Sequence, residues 1–433
     1  MNTINNKNIM QEITQNEFEQ EVLKAGKVAV DFYSTECPPC EALAPKFENV
    51  AQLYGEEVKF VKIFRQENRD LADRLEIKSS PTVIFYDNGQ LVGDKLSGGI
   101  KRSELINNLN ALLPVEKVAA ISKNIKPTVS HYDTLILGGG PGGLTAGLYL
   151  CQARVNAVLV DIMLPGGQIS STHQISNYPG FVEPQPGFML AHYMSEQTKI
   201  CGTKYKVAVD VTDIDLENKT IVVDEYETIQ AKKIILATGA SPKYLNIPGE
   251  RELKGNGISY CATCDAKYYH GKEVVIIGGG NTAIEEADFI AKFASKITII
   301  HQFDHFQANK EAQEKIVANP KISIVWETEP RGFEKDGDSI KVLTENLKSG
   351  KKETLVADGV FVFVGMNPNT DLFKSQLETD EWGYVKANED MKTNLDGVYV
   401  VGDLRSKKYR QITTAVADGT IAAISVTKEL DSF

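Results

Sequence analysis

Four of the six cysteines stand in two Cys-x-x-Cys pairs, Cys37 with Cys40 and Cys261 with Cys264. Thiols at this spacing either exchange with disulfides or ligate a metal. Zinc ribbons bring their second half within about 20 residues of the first. Here more than 200 residues separate the pairs, so dithiol exchange is the expected chemistry, no metal is expected, and a four-sulfur zinc site is the rival. Cys151, inside the apolar stretch 148–153, and Cys201 have no partner nearby in sequence and read as inert buried fillers. Two glycine loops add a second chemistry. Gly138, Gly140 and Gly143, with Pro141 among them, fit G-x-G-x-x-G; Gly278 and Gly280, followed by Asn281 and Thr282, repeat its opening. Such loops let a pyrophosphate approach the N-terminus of a helix.

These groups need particular elements beneath them. A strand over residues 28–33 runs into Cys37-Pro-Pro-Cys40, which opens a helical period through Leu43, Phe47, Val50 and Leu53. Cys37 then sits at a helix N-terminus, where unpaired N–H groups and the helix dipole favour a thiolate, making it the attacking sulfur. Cys40, one turn further in, is expected to be the resolving thiol. Strands over 58–64, 82–86 and 91–96, a short helix and a closing helix over 102–113 complete a β-α-β-α-β-β-α order. Residues 114–130 are bounded by prolines and weakly periodic, and read as a tether with at most one helical turn. As a coil it would span about 20–25 Å. Beyond it, a strand over 132–137 enters the first glycine loop and a helix, and the next strand ends at Asp161, placed for a ribose hydroxyl. Strand, loop, helix and strand recur over 273–300. One unit for a flavin dinucleotide, one for a nicotinamide and a dithiol between them specify an electron relay.

At 433 residues the chain has a prior of about three domains. Hydrophobic residues at 42% and charged residues at 24% place it among ordinary globular chains. The net charge of −11 repels nucleic acid and anionic membrane, so neither is an expected partner. No apolar run approaches the ~18 residues of a membrane span. Residues 1–14 are Asn-rich without an apolar core, so no export signal is visible and a cytoplasmic setting is expected.

Over about residues 10–113 the chain resembles thioredoxin: the Val-Asp-Phe strand, Cys-Pro-Pro-Cys, Ser80-Pro81-Thr82 and Asp87-Asn-Gly89 carry the likeness. The resemblance implies that Pro81 is cis and faces the disulfide. It also implies that Asp31 is buried and moves the proton of the resolving thiol, a role desolvation suits by raising its pKa. From about His131 to Phe433 the chain resembles bacterial-type thioredoxin reductase. That likeness rests on the two glycine loops, Pro165-Gly-Gly167-Gln168, Asn177-Tyr-Pro-Gly180, Ala237-Thr238-Gly239, Cys261 to Asp265, Gly402-Asp403 and Tyr409-Arg410-Gln411-Ile412. It implies an α/β protein in which a thioredoxin fold precedes two nested Rossmann-like three-layer domains. The expected bounds are 1–113 for thioredoxin and 114–130 for the linker. An FAD domain would take 130–242 with 366–433, and a pyridine-nucleotide-type domain carrying the dithiol would take 243–365. Carried onto matching positions, Cys264 faces the flavin, Cys261 attacks the incoming disulfide and Asp265 exchanges the proton. Asp403 holds the ribityl or phosphate region of FAD, with Arg410 and Gln411 near its ring system. A homodimer is implied, as is rotation of the inserted domain about hinges near 240–244 and 365–369.

The chain also departs from both families. The flanking tryptophan of thioredoxin is Glu36 here, and a carboxylate beside Cys37 opposes thiolate formation. The His-Arg-Arg-x-x-x-Arg motif of NADPH-specific reductases reads His301-Gln-Phe-Asp-His-Phe-Gln307. Each charge-assisted contact to a 2′-phosphate is worth about 1.5–3 kcal/mol, so losing three arginines erases most preference for NADPH. NADPH, NADH and ferredoxin all stay open as donors. The reading is a thioredoxin fused to its own flavin reductase, passing electrons through Cys264–Cys261 to Cys37–Cys40, of its own or a partner chain, and on to protein disulfides. Two rivals remain: an NADH-driven alkyl hydroperoxide reductase flavoprotein, disfavoured because only one thioredoxin-like repeat fits before residue 130, and a flavin-binding sensor or scaffold.

Overall fold

The computed structural model describes residues 10–172, 175 and 177–431; the first nine residues of the expected thioredoxin domain lie outside this range. Its first unit comprises β1 (Met10–Glu12), β2 (Lys27–Tyr33), α1 (Pro38–Tyr54), β3 (Lys59–Phe64), α2 (Arg69–Arg74), β4 (Thr82–Asp87), β5 (Gln90–Ser97) and α3 (Arg102–Ala111). The sheet order is β1-β3-β2-β4-β5, parallel among the first three strands and antiparallel beyond. Successive side chains of a strand point to opposite faces. Ala29 of β2 therefore enters the core beneath α1 and α3, while Val28, Val30 and Phe32 enter the core on the other face. This burial on both faces is why the strand reads as a nearly continuous apolar run, interrupted only by Asp31.

The expected tether is largely structured. Residues 115–122 form α4 (Val115–Ser122), whose Ile121 is buried in the first unit's core, and β6 (Thr128–Leu137) begins inside the same segment. Only Pro114 and residues 123–127 of the segment lie outside these elements. Pro114 stands just ahead of α4, where it suits a helix start, so the proline that marked a coil in the sequence introduces a helix instead.

The outer Rossmann-type unit continues with α5 (Pro141–Gln152), β7 (Ala157–Asp161), α6 (Gly187–Cys201), β8 (Lys204–Val207), β9 (Val211–Asp215), β10 (Thr220–Val223) and β11 (Glu227–Leu236). Its sheet runs β8-β7-β6-β11-β10-β9. On β6, Leu135 and Leu137 face one core and Ile136 faces the other, against α5. The chain leaves through β12 (Ala240–Pro242) and builds an inserted unit. That unit holds β13 (Ile258–Ser259), α7 (Ala262–Asp265), β14 (Glu273–Ile277), α8 (Asn281–Ile290), β15 (Lys296–Ile300), α9 (Lys310–Ala318), β16 (Ile322–Val325), β17 (Thr328–Asp336), β18 (Ser339–Asn346), β19 (Lys352–Ala357) and β20 (Gly359–Val362). A parallel sheet β13-β20-β14-β15-β16 is flanked by an antiparallel β17-β18-β19 layer. The return is β21 (Met366–Pro368), antiparallel to β12, then β22 (Val398–Val400), parallel to β11, and α10 (Ile412–Asp431) packed on α5. Among the described residues no helix is long and apolar enough to cross a membrane.

Candidate active site

Both Cys-x-x-Cys pairs are disulfides, each closed within itself. In the first, Cys37 is the N-cap of α1 and the Cys40 amide donates to its sulfur at 3.2 Å, so the helix terminus does point at the expected nucleophile. The sulfur lies 3.4 Å from the Ser80 carbonyl oxygen, and the Ser80–Pro81 bond is cis. Asp31, on β2, is 3% exposed, and burial pushes its carboxyl up to about 7 against the opposing pull of Lys62. A carboxyl that titrates near neutrality is suited to passing a proton to or from a thiolate.

The second pair straddles the start of α7, just after β13: Cys261 is its N-cap and Cys264 lies within it. Ser259 organises it: its hydroxyl donates to Asp265 Oδ2 at 2.6 Å and accepts from the Cys261 amide at 3.1 Å. Gln411, just ahead of α10, donates to the Thr263 hydroxyl at 3.1 Å and accepts from Asn177 at 3.3 Å. The inserted dithiol is thus held against the outer unit at the residues expected beside a flavin ring. Ser259 and Thr263 carried no signal in the sequence: Ser259 belongs to no motif, and the role of Thr263 comes from a fold that returns Gln411 to this loop.

The remaining expected cofactor residues collect at the C-terminal edge of the outer sheet. Gly140 caps α5 ahead of Pro141, and a side chain on Gly140 would meet open space. Gly138 has φ +111° and its missing side chain would strike the Ala237 carbonyl. A side chain on Gly143 would likewise strike the Gly138 carbonyl, so glycine there lets helix and strand pack tightly. Asp161 accepts from the amides of Gly139 and Met163, and its pKa is raised because burial outweighs those bonds. Gly167 backs onto Gly140, and Gln168 donates to the Ala240 carbonyl at 3.5 Å. Thr238, before Gly239, donates to the Asn369 carbonyl at 2.8 Å. The Gly402 amide donates to Asp418. Arg410 donates to the Asp403 carbonyl and stacks 3.7 Å over the Tyr384 ring, immediately before Gln411 and Ile412. Asp403 Oδ1 is buried without a hydrogen-bond partner among the described residues, and burial raises this carboxyl's pKa. An open glycine cradle at a helix terminus and an orphaned buried acceptor fit a flavin dinucleotide, whose phosphates and hydroxyls would meet them.

The second glycine loop is built alike: Gly280 caps α8 and Gly278 has φ +132°. Asn281 accepts from the Asn309 amide, and Thr282 follows it in the first turn of α8. His301 packs over Gly279 in a ring cluster with Phe303, Phe306 and Trp326. Asp304 is tied to His305 at 2.7 Å, and nearby Lys348 pairs with Glu327. Residues 301–307 supply no lysine or arginine to a 2′-phosphate.

Cys151 and Cys201, expected as separate buried fillers, are neighbours and only half-buried: the ends of α5 and α6 meet, and the Cys151 thiol donates to the Cys201 carbonyl at 2.6 Å. Burial, and then the Cys201 thiol, push Cys151 up to about 11. The Cys37–Cys40 and Cys261–Cys264 pairs are not brought together. Pro38 and Pro39 line a cavity with Phe188 and His192 of α6, whereas Cys261 and Cys264 flank Thr263 at Gln411.

Comparisons with known proteins accord with this geometry. Residues 132–419 match the family model for pyridine nucleotide-disulphide oxidoreductase, and residues 9–111 match the thioredoxin model. Thioredoxin reductase of Peptoclostridium acidaminophilum is 42% identical over 308 residues, 70% of this chain and 98% of that protein. A 34.2 kDa protein in the rubredoxin operon of Clostridium pasteurianum is 41% identical over 297 residues, 68% of this chain and 96% of that one. The crystal structure of thioredoxin reductase from Streptococcus pyogenes aligns with TM-score 0.66 and 36% identity, covering 70% of this chain and 99% of that chain. The chain belongs to the pyridine nucleotide–disulphide oxidoreductases, as a thioredoxin reductase with a thioredoxin domain ahead of it.

Proposed function

We propose that this flavin-dependent thioredoxin-disulfide reductase uses its own thioredoxin domain as the outgoing carrier, moving two electrons from Cys261–Cys264 to Cys37–Cys40 and then to protein disulfides. The observation that carries this reading is two disulfides in one chain, one held by Gln411 at the flavin-type site and one at the terminus of α1. FAD bound at the Gly138–Gly143 cradle supplies the two-electron exchange with the donor and the inner dithiol. The chain's residues do the rest. Cys261 attacks the incoming disulfide and Cys264 closes on it, with one disulfide formed for each one opened. Asp265, fixed by Ser259, takes and returns the proton of that pair. Asp31 does the same for Cys40. The inserted unit turns about β12 and β21, where Gly239 (φ +68°) and Gly365 (φ +111°) stand at the two crossings. The domain bounds given above are taken over as part of this reading.

The donor follows from charge. With no lysine or arginine over 301–307, the site gives NADPH no advantage over NADH, and an iron–sulfur protein such as ferredoxin is the third donor to test. Working dithiols suit a reducing, cytoplasmic compartment. A homodimer would cover exposed apolar side chains such as Tyr193 and Ile200, seven residues apart on α6. The test is anaerobic mixing with each donor while following flavin absorbance, then insulin disulfide reduction by the native chain and by Cys261→Ser. The native chain should bleach and turn over insulin, Cys261→Ser should bleach without turnover, and NADPH should be no faster than NADH. Full insulin reduction by Cys261→Ser would overturn the relay.

A further inference from the structure

The thioredoxin domain is seated on the outer unit through the face that carries its own disulfide. Gly98, after β5, donates its amide to the Pro81 carbonyl, so the 98–100 turn adjoins the cis-proline and Cys37. In that turn, the position a side chain would occupy on Gly99 lies 3.2 Å from Leu164 and 3.6 Å from Ala208 of the outer unit. Lys46, only 8% exposed, bridges the two bodies by donating to the carbonyls of Ile100 at 2.8 Å and Ala208 at 2.7 Å. Asp210 accepts from Lys101 at 2.8 Å and from Ser103 at 2.5 Å, Arg102 stacks 4.6 Å over Tyr226, and Glu41 pairs with Lys199. Between the bodies lies a cavity of about 670 Å³ with Pro38 and Pro39 on one wall and Phe188 and His192 on the other. Cys37 and Cys40 are each 8% exposed.

We infer that Leu164 with residues 208–210 of the outer unit forms a seat that occupies the disulfide-recognition face of the thioredoxin domain, sheltering Cys37–Cys40 from target proteins until the domain lifts off. The inference rests on the reading that Cys37–Cys40 is the outgoing pair. A target disulfide must approach Cys37 beside Pro81 and Gly99, and Leu164 stands there. The seat is reversible by construction. Lys101–Asp210 and Lys199–Glu41 are partly exposed pairs, which water and salt weaken. Lys46 is the firmer anchor, because its ammonium, removed from water, is satisfied by carbonyls on both sides of the contact.

Two measurements on the full, flavin-loaded chain test this. Gly99→Cys with Ala208→Cys has the spacing of a disulfide, which needs about 3.5–4.5 Å between Cβ atoms, so mild oxidation should close that cross-link in most of the protein, read by peptide mass. Asp210→Lys places a cation against Lys101 and should unseat the domain. In phosphine-reduced protein, alkylation of Cys37 by iodoacetamide should then quicken at least threefold, while reduction of a small aromatic disulfide by Cys261–Cys264 is unchanged. Failure of the cross-link, or an unaltered Cys37 alkylation rate in Asp210→Lys, would overturn the seat. Alkylation requires no turnover, so it decides the seat even if the native chain cannot reduce insulin, a result that would sink only the functional reading.

Discussion

Asp31 shows how one side chain couples chemistry to stability. Its carboxyl, pushed up to about 7 by burial, keeps a proton in the folded state that the unfolded chain releases above about pH 4. The folded state therefore binds more protons across that interval, and stability falls as pH rises from about 4 through 7. Over about three pH units at about 1.4 kcal/mol each, the deficit above pH 7 is on the order of 4 kcal/mol. Asp31→Asn should recover most of it, so denaturant melts of the thioredoxin domain should separate the variant from the native chain at pH 8 and converge at pH 4. An equal gap at both values would remove the argument. Ser259→Ala tests the other site: without its hydroxyl Asp265 loses a charge-assisted bond worth about 1.5–3 kcal/mol, and turnover should drop on the order of tenfold with flavin content unchanged. The two Cys-x-x-Cys pairs stood out by residue type and spacing, whereas Asp31, Asp265 and Gln411 were singled out only through the resemblance to thioredoxin and its reductase. Thr263 and Lys46 did not stand out, since each takes its partner from a residue that only the fold brings near, and Ser259, though six residues from Asp265, belongs to no motif.

Among the elements, β12 and β21 decide what can move. They are the two chain crossings between the outer and inserted units, paired from Ala240↔Pro368 to Pro242↔Met366. Gly239 beside them has φ +68° and no atom within 4 Å of a would-be side chain. Gly239→Ala therefore meets no neighbour but strains the left-handed backbone, at a cost of about 1–2 kcal/mol. Insulin turnover should slow several-fold while the small-disulfide rate with chemically reduced protein is kept; equal loss in both assays would place the defect in folding. The strands and helices themselves were readable, since β2, β6 and β14 are apolar runs ended by Cys or Gly signals. The tether was misjudged because α4 is only two turns long and depends on Ile121 finding the thioredoxin core. Periodicity over so short a window cannot separate a docked helix from coil.

In the whole molecule, the short connection and the seat act together. Residues 123–127, fully extended, reach about 17 Å, well under the span expected of a seventeen-residue coil. Ion pairs across the contact are screened within about 10 Å at 0.1 M salt. Raising salt from about 0.05 to 0.5 M should thus enlarge the scattering radius of gyration of the native chain and leave that of the cross-linked Gly99→Cys/Ala208→Cys protein unchanged; a native radius indifferent to salt would show that charge does not hold the bodies together. The order of units was legible in the sequence, but their mutual placement was not, since it depends on Gly99, Ala208 and Asp210, which carry no motif. The outer sheet has one further consequence. Ile234 of β11 borders Val398 of β22, so more than 160 residues must leave the ribosome before that edge finds its neighbour. Synthesis delivers the thioredoxin domain first and leaves the half-built outer sheet waiting, apolar edge open, for the final helix. Nascent chains halted before residue 398 should therefore emerge with a protease-resistant N-terminal body and a chaperone-dependent remainder, and should take up no flavin until released.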